Sequence, residues 1–266
     1  MTIISTTTNT LTYFHAKDTP DWLVHGFFGR TGGVSTGNYH SLNCKLRCDD
    51  DLDKVQENRN RVLNVMGLDG SIVVPYQVHG NNVAIADESW LKNKPDTYPH
   101  ADAIMSQLPN QLCGILTADC TPLLFYDAEK RIVAAAHAGW RGALAGVVQN
   151  TLHQLQEMGC RHIHGLMGPS IFPENYDVGL DVYELFIKQH SDNKLFFTPH
   201  PHIKAKFLFD LRAYIRHYLQ QFSLDSLLCV AQDTYANDAL FFSCRRATHQ
   251  RQTTFGCQLS VIGIKK

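Results

Sequence analysis

Three side chains suited to metal binding or nucleophilic attack fall at or near the ends of apolar runs. They are His79 after VVPYQV, Cys120 inside ILTADC and His137 inside VAAAHAGW. The spacings, 120 − 79 = 41 and 137 − 120 = 17, suit a site assembled from separate strand ends, whereas zinc fingers take their ligands in close pairs. Two imidazoles and a thiolate give zinc three protein ligands and leave the fourth tetrahedral position for water or substrate, as in catalytic sites. A plainer reading stands beside this one. A single His in an apolar strand is commonly a hydrogen-bonded core residue, and a buried Cys behaves as a small hydrophobe. Cys120 and His137 also admit a third chemistry, in which a thiolate nucleophile and an imidazole base hydrolyse an acyl or amide bond.

Asp119 precedes Cys120, and neighbours in an extended strand point to opposite faces, so the two share a pocket only where the strand breaks. Thr121-Pro122 supplies a reason for a break, since proline cannot join a central ladder. Otherwise Asp119 is a turn residue that bonds local backbone. The turn Gly139-Trp140-Arg141-Gly142 puts free backbone N–H groups and a guanidinium within a few residues of His137, which favours a phosphate or a substrate oxyanion there. Alternatively, Trp140 packs and Arg141 caps the surface. Residues 13–43 contain Gly26, Gly29, Gly32, Gly33 and Gly37 without a helical period, and read as a turn-rich loop. With Arg30, Thr31 and Ser35 these glycines could surround an anion, although the pattern is neither GxGxxG nor a P-loop. His40, Cys44 and Cys48 read as a solvated loop, and the pairs His162/His164 and His200/His202 as surface or strand residues. Arg245-Arg246 and Arg251 form a small basic run, either a solvated face or a second anion contact.

The elements that must position these residues alternate in type. Residues 71–78, 115–126 and 131–138 read as buried strands, with further strands at 227–231 and 258–264. Leu144, Val147, Val148, Thr151, Leu152, Leu155 and Met158 form one face of a helix ended by Gly159, and Leu208 to Phe222 repeat the spacing. Weaker helical patterns lie at 51–66 and 178–190. The class is α/β. No linker or fixed-period repeat divides the chain, so residues 1–266 read as a single domain with a flexible N-terminus of roughly ten residues.

Composition narrows the function classes. Lys+Arg 24 against Asp+Glu 25 gives a net charge of 24 − 25 = −1, which offers no electrostatic drive toward nucleic acid or anionic membrane. The Thr-rich start lacks the basic and apolar regions of a signal peptide. The best apolar stretch, 131–140, is far short of the roughly 20 residues that span a bilayer. Eight cysteines without repeated CxxC pairs, in a chain of this size, read as reduced thiols. A soluble, cytoplasmic protein is expected.

The segments GGVSTGNYHSLN, DD and NRNRV, QVHG, ADAIMS, TADCTPLLFYD, AAAHAGWRGALAGVV, MGPSI and FFSCRR occur in the order seen in the YfiH-like, or laccase-domain, family. That family carries the name of multicopper polyphenol oxidoreductases and the activity of purine nucleoside phosphorylases. From about His25 onward the chain resembles it, most specifically through QVHG, TADC and HAGWRG in that order. The resemblance implies a four-layer α/β/β/α sandwich with mixed sheets, and zinc, with copper possible, held by His79, Cys120 and His137. It also implies phosphorolysis of adenosine, inosine, guanosine and S-methyl-5′-thioadenosine, with adenosine deamination alongside.

Combined with the residue-level reading, Cys120, His137, Asp119 and Arg141 become the catalytic candidates, with Asp119 as a proton shuttle for deamination. The H-x-E motif of zinc deaminases is absent. Candidate substrate or phosphate contacts are Arg30, Gly33, Ser35, Asn43, Gln77, Trp140 and Arg141. Purine nucleosides and inorganic phosphate are the expected partners, without nucleic acid or membrane, for a monomer or homodimer. The chain departs from the family pattern at Asp233-Thr234, where Cys-Thr is common, at Cys244, where Tyr is common, and at Cys48, where Gly is usual. Two alternatives remain: copper-dependent phenol oxidation, for which one site falls short of the several coppers of a laccase, and a cysteine-hydrolase-like factor that edits peptidoglycan precursors.

Overall fold

Alternation along a single strand shows how the layers stack. In residues Ile132–Ala138, the side chains of Ile132, Ala134, Ala136 and Ala138 enter one apolar cluster while Val133 and Ala135 enter another. Both faces of the strand are therefore covered, and His137 shares the parity of Val133 and Ala135.

The computed structural model describes residues 1–92 and 97–266. One six-stranded sheet runs in the order β1 (Ile3–Thr8), β2 (Leu11–Ala16), β3 (Leu23–Phe28), β15 (Gln258–Ile264), β7 (Gln111–Thr117), β4 (Ser71–Val73). A second six-stranded sheet runs β14 (Ser226–Cys229), β10 (Ile163–Met167), β8 (Thr121–Asp127), β9 (Ile132–Ala138), β6 (Ala103–Ser106), β5 (Val83–Ile85). Three short strands, β11 (Asp177–Gly179), β13 (Lys206–Phe209) and β12 (Phe197–Pro199), make a third sheet. The helices are α1 (Leu52–Met66), α2 (Ser89–Lys92), α3 (Trp140–Leu144), α4 (Val147–Glu157), α5 (Leu180–Gln189), α6 (Leu211–Leu219) and α7 (Cys244–His249). Pairing is mixed: β4–β7, β5–β6 and β10–β14 are parallel, and the remaining ladders of the two large sheets are antiparallel.

Phe27, Cys113, Ile115 and Ile262 of the first sheet meet Ile104, Leu124, Val133 and Ala135 of the second. On the outer face of the first sheet, Val62 and Met66 of α1 cover Val24, Leu112 and Val261. Leu152 and Leu155 of α4 and Tyr214 and Ile215 of α6 cover the outer face of the second. The order is helix, sheet, sheet, helix, as the family resemblance implies. No helix among the described residues is long and apolar enough to cross a membrane, and all eight cysteines are free.

Several local expectations are corrected. The apolar run 115–126 is two strands, because Asp119 adopts a left-handed φ of 95° and turns the chain between β7 and β8. Pro122 nonetheless sits in the central strand β8, near its start, where a missing N–H disturbs the ladder least. Only 71–73 of the run 71–78 joins a sheet. Beyond it the Gln77 amide takes over the pairing, donating to the Leu116 carbonyl and accepting its N–H, both at 2.8 Å. Gly146, with φ 89°, separates α3 from α4, and Asp210 caps α6 by accepting the Ala213 N–H at 2.8 Å, so Leu208 belongs to β13. Residues 13–43 contain most of β2 and all of β3, leaving 29–43 as loop apart from a single 3-10 turn at Gly37–Tyr39. Within the segment expected to be loose, Ile3–Thr8 pairs with β2 as an edge strand, a role that β-branched Ile and Thr suit.

Candidate metal and active site

His137 is the penultimate residue of β9 and 3% exposed. Its register partner is Pro122, so Cys120, two residues earlier, is brought to the same end of the sheet. His79 arrives on the loop after β4 with a left-handed φ of 60°. One donor atom from each of His79, Cys120 and His137 lies within 4.8 Å of the others. Gly139 makes this closeness possible. A Cβ there would stand 2.9 Å from Cys120 Sγ and 3.0 Å from His79 Cδ2.

The organising residue is one that sequence reasoning passed over. Asp102 is fully buried, and its Oδ1 meets His137 Nδ1 at 2.8 Å. The same carboxylate accepts three consecutive backbone N–H groups, from Val78 at 3.1 Å, His79 at 2.9 Å and Gly80 at 2.6 Å. Such a nest of N–H groups around an anion offsets the strain of the left-handed His79 backbone. With Nδ1 engaged, Nε2 is the His137 nitrogen left for a metal, the usual arrangement of a carboxylate behind a metal-binding histidine. Burial works to raise the Asp102 pKa, but the His137 contact and these hydrogen bonds carry it below the ordinary carboxylate value. An acid inside the apolar run ADAIMS was the signal available in the sequence.

The electrostatics follow from the packing. Burial alone would raise Cys120, yet the His137 charge and hydrogen bonds from both histidines bring its thiol down to about 6. His137 is desolvated, which lowers it, but the Cys120 thiolate and Asp102 raise it to about 9. In the absence of metal, both shifts favour the thiolate and imidazolium forms of the pair. A thiolate and two imidazoles in this cluster fit zinc, whose bonds of about 2.0–2.3 Å need only small side-chain adjustments to be met. The same soft and borderline donors accept copper.

Asp119 does share the pocket with Cys120. Its carboxylate bonds distant partners: the hydroxyls of Thr234 at 2.8 Å and Ser243 at 2.9 Å, and the Arg245 N–H at 2.7 Å. Burial raises its pKa against the pull of those bonds. Arg245 reaches Asp177 at 2.6 Å, while Arg246 donates to the carbonyls of Thr234, Tyr235 and Phe241, so these two arginines of the late basic run tie loops together.

Above the triad opens a cavity of about 850 Å³, large enough for a small-molecule substrate. Gln77, Trp140 and Arg141 line it with Asp119 and the triad. Arg141 is exposed, its guanidinium 4.2 Å over the Trp140 ring, and among the described residues it forms no ion pair. Arg30, Gly33, Ser35 and Asn43 do not line the cavity. Arg30 pairs with Asp238 at 2.7 Å, and the Gly33 N–H donates to Ser41 Oγ. Ser35 and Asn43 both donate to Asp50 Oδ2, at 2.7 and 2.9 Å. Lys45, Arg47, Arg59 and Tyr176 line the cavity instead, all unforeseen. For Arg59 a signal existed: it occupies an inward position of α1, between the apolar Val55 and Val62.

The family described as multi-copper polyphenol oxidoreductase laccase matches residues 24–265. The chain belongs to this family. Members similar to it include purine nucleoside phosphorylase YfiH of Escherichia coli, 36% identical over 217 residues, covering 82% of this chain and 86% of the relative. A purine nucleoside phosphorylase of Pseudomonas aeruginosa is 35% identical over 235 residues, covering 86% and 93% of the two chains. Among solved structures, a Neisseria meningitidis protein superposes with a TM-score of 0.79 at 28% identity over 100% of both chains. YfiH of Bacillus licheniformis reaches a TM-score of 0.86 at 23% identity over 97% of each, a likeness of fold. Despite the family's multi-copper description, the described residues of this laccase-like chain contain one cluster of three metal donors.

Proposed function

We propose that this laccase-like protein is a zinc-dependent purine nucleoside phosphorylase. Its proposed substrates are adenosine, inosine, guanosine and S-methyl-5′-thioadenosine, with adenosine deaminase activity at the same site and a cytoplasmic location. The observation that carries this reading is the His79–Cys120–His137 cluster in a cavity of about 850 Å³ that Arg141 also lines, with no carboxylate partner among the described residues. The names of the bacterial relatives support it.

Arg141 binds inorganic phosphate through charge-assisted hydrogen bonds and holds it against the ribose. A phosphate oxygen bonds to the anomeric carbon as the glycosidic bond breaks. The bonding pair leaves with the purine, which takes up a proton, and the products are free base and ribose 1-phosphate, or the methylthioribose analogue. Zinc held by His79, Cys120 and His137 would supply Lewis-acid stabilisation of negative charge. Asp102 orients the His137 imidazole and holds the backbone of His79. Trp140 gives the cavity an apolar wall. In deamination, water replaces the C6 amino group and ammonia leaves; Asp119, with its pKa raised by burial, is our candidate to carry protons.

Metal analysis together with product identification from adenosine, with and without phosphate, tests the proposal. Base and ribose 1-phosphate that form only with phosphate and zinc support phosphorolysis, and inosine with ammonia supports deamination. Full phosphorolysis with stoichiometric zinc in Cys120→Ala would refute the assigned site.

One observation favours a second reading. Cys120, His137 and Asp102 also form a nucleophile, base and orienting acid, the constellation of a cysteine hydrolase. Metal-free activity that is abolished by thiol alkylation would select it.

A further inference from the structure

Helix α1 turns Val55, Asn58, Arg59, Val62 and Met66 inward, and one of these carries a full charge. Arg59 is 6% exposed, yet its guanidinium makes one hydrogen bond among the described residues, from Nη2 to the Ile72 carbonyl at 3.2 Å. It forms no ion pair with any described residue. The groups near enough to compensate it are Cys44 and Tyr98, and burial keeps both neutral: Cys44 is pushed up to about 12, and Tyr98 is raised above the usual phenol value. A buried cation without a counter-charge is unfavourable unless something supplies the anion.

The cavity gives a ligand access to this charge. Arg59 lines the same cavity as the metal-binding triad, and Lys45 lines it too. The Ile72 carbonyl anchors one guanidinium nitrogen, leaving the rest of a planar fork suited to the paired oxygens of a phosphate. Arg59 and Arg141 reach the cavity from different layers of the fold. Arg59 comes from α1, outside the first sheet, whereas Arg141 comes from α3 at the end of β9 in the second.

We propose that Arg59, with Lys45, forms a second oxyanion subsite of the cavity, which takes a phosphate group either as a free ion or as part of a nucleotide. The subsite stands apart from the phosphorylase reading, because it concerns binding and does not involve Arg141 in phosphate attack.

The test is equilibrium titration of zinc-loaded protein with inorganic phosphate and, separately, with adenosine 5′-phosphate, in Arg141→Ala and in the double variant Arg141→Ala with Arg59→Met, so that the Arg141 site is absent from both. At least one anion is expected to bind Arg141→Ala, and to bind the double variant at least tenfold more weakly than Arg141→Ala, with circular dichroism verifying the fold. Adenosine 5′-phosphate binding more tightly than phosphate or adenosine assigns the group to a nucleotide. Phosphate binding that is unchanged by saturating adenosine assigns it to a free ion. If the double variant does not fold, Arg59→Lys replaces Arg59→Met within it, since the charge stays and the fork is lost; a fall of about fivefold relative to Arg141→Ala is then expected. Affinity within twofold of Arg141→Ala in the folded double variant, or no binding of either anion to Arg141→Ala, overturns the proposal. Loss of phosphorolysis in Arg141→Ala with the anion still bound at Arg59 would separate the two sites.

Discussion

Asp102 and His137 are joined twice. The Asp102 carboxylate holds His137 Nδ1 at 2.8 Å, and the Asp102 carbonyl accepts the His137 backbone N–H at 2.7 Å. Side-chain orientation and strand register are thereby set by the same residue, which also grips the backbone of His79.

Asp102→Asn replaces one acceptor oxygen by a donor that faces the N–H groups of 78–80 or the His137 ring. Zinc affinity is expected to fall about 10- to 100-fold, the usual effect of removing the carboxylate behind a metal-binding histidine. Chelator competition measures it, independently of turnover. Unaltered zinc affinity in a folded Asp102→Asn would show that the imidazoles are oriented by other contacts.

Gly139→Ala tests the packing of the centre. The Gly139 backbone is extended, with φ −76° and ψ 167°, which alanine accepts, so any effect comes from the methyl group 2.9 Å from Cys120 Sγ. Purified Gly139→Ala should carry less than half the zinc of wild type by elemental analysis, with secondary structure retained. Full zinc occupancy would mean that Cys120 and His79 move aside freely.

Arg141→Ala removes an exposed side chain with no ion pair among the described residues, so thermal stability should change by no more than about 0.5 kcal/mol. Losing charge-assisted bonds to phosphate, worth about 1.5–3 kcal/mol, should raise the phosphate KM about 10- to 100-fold. Initial rates across a phosphate series decide this. A phosphate KM within twofold of wild type removes Arg141 from the phosphate site.

His25 governs a pH dependence of stability. Its Nε2 accepts the Ala16 N–H at 2.9 Å, and burial, followed by the nearby His15, lowers its pKa from 6.5 to about 4. Above pH 6.5 both states are neutral and the contribution is intact. As pH falls from 6.5 toward 4, the unfolded chain takes a proton that the fold refuses, and about 3 kcal/mol is lost. His25→Gln keeps an acceptor without that titration, so its stability should fall less over the same window. Denaturant melts at pH 7 and pH 4.5 compare the two; equal losses would place the pH sensitivity elsewhere.

The sequence by itself determined what local pattern can carry. A continuous apolar run marked β9 as a buried strand, helical spacing located the buried faces of α4 and α6, and residue chemistry singled out His79, Cys120 and His137. Tertiary structure alone decided who meets whom. Asp102 stands 35 residues from His137 in the chain, and Asp119 finds Thr234 and Ser243 more than 100 residues away. Ser35 and Asn43 spend their polar groups on Asp50 and Asn58 within the scaffold, and Arg59 leaves the apolar face of a helix to reach the cavity wall. The physical reason is that a strand's periodicity reports only which way a side chain points. Its partner is set by strand register and sheet order, which arise from packing among segments distant in sequence.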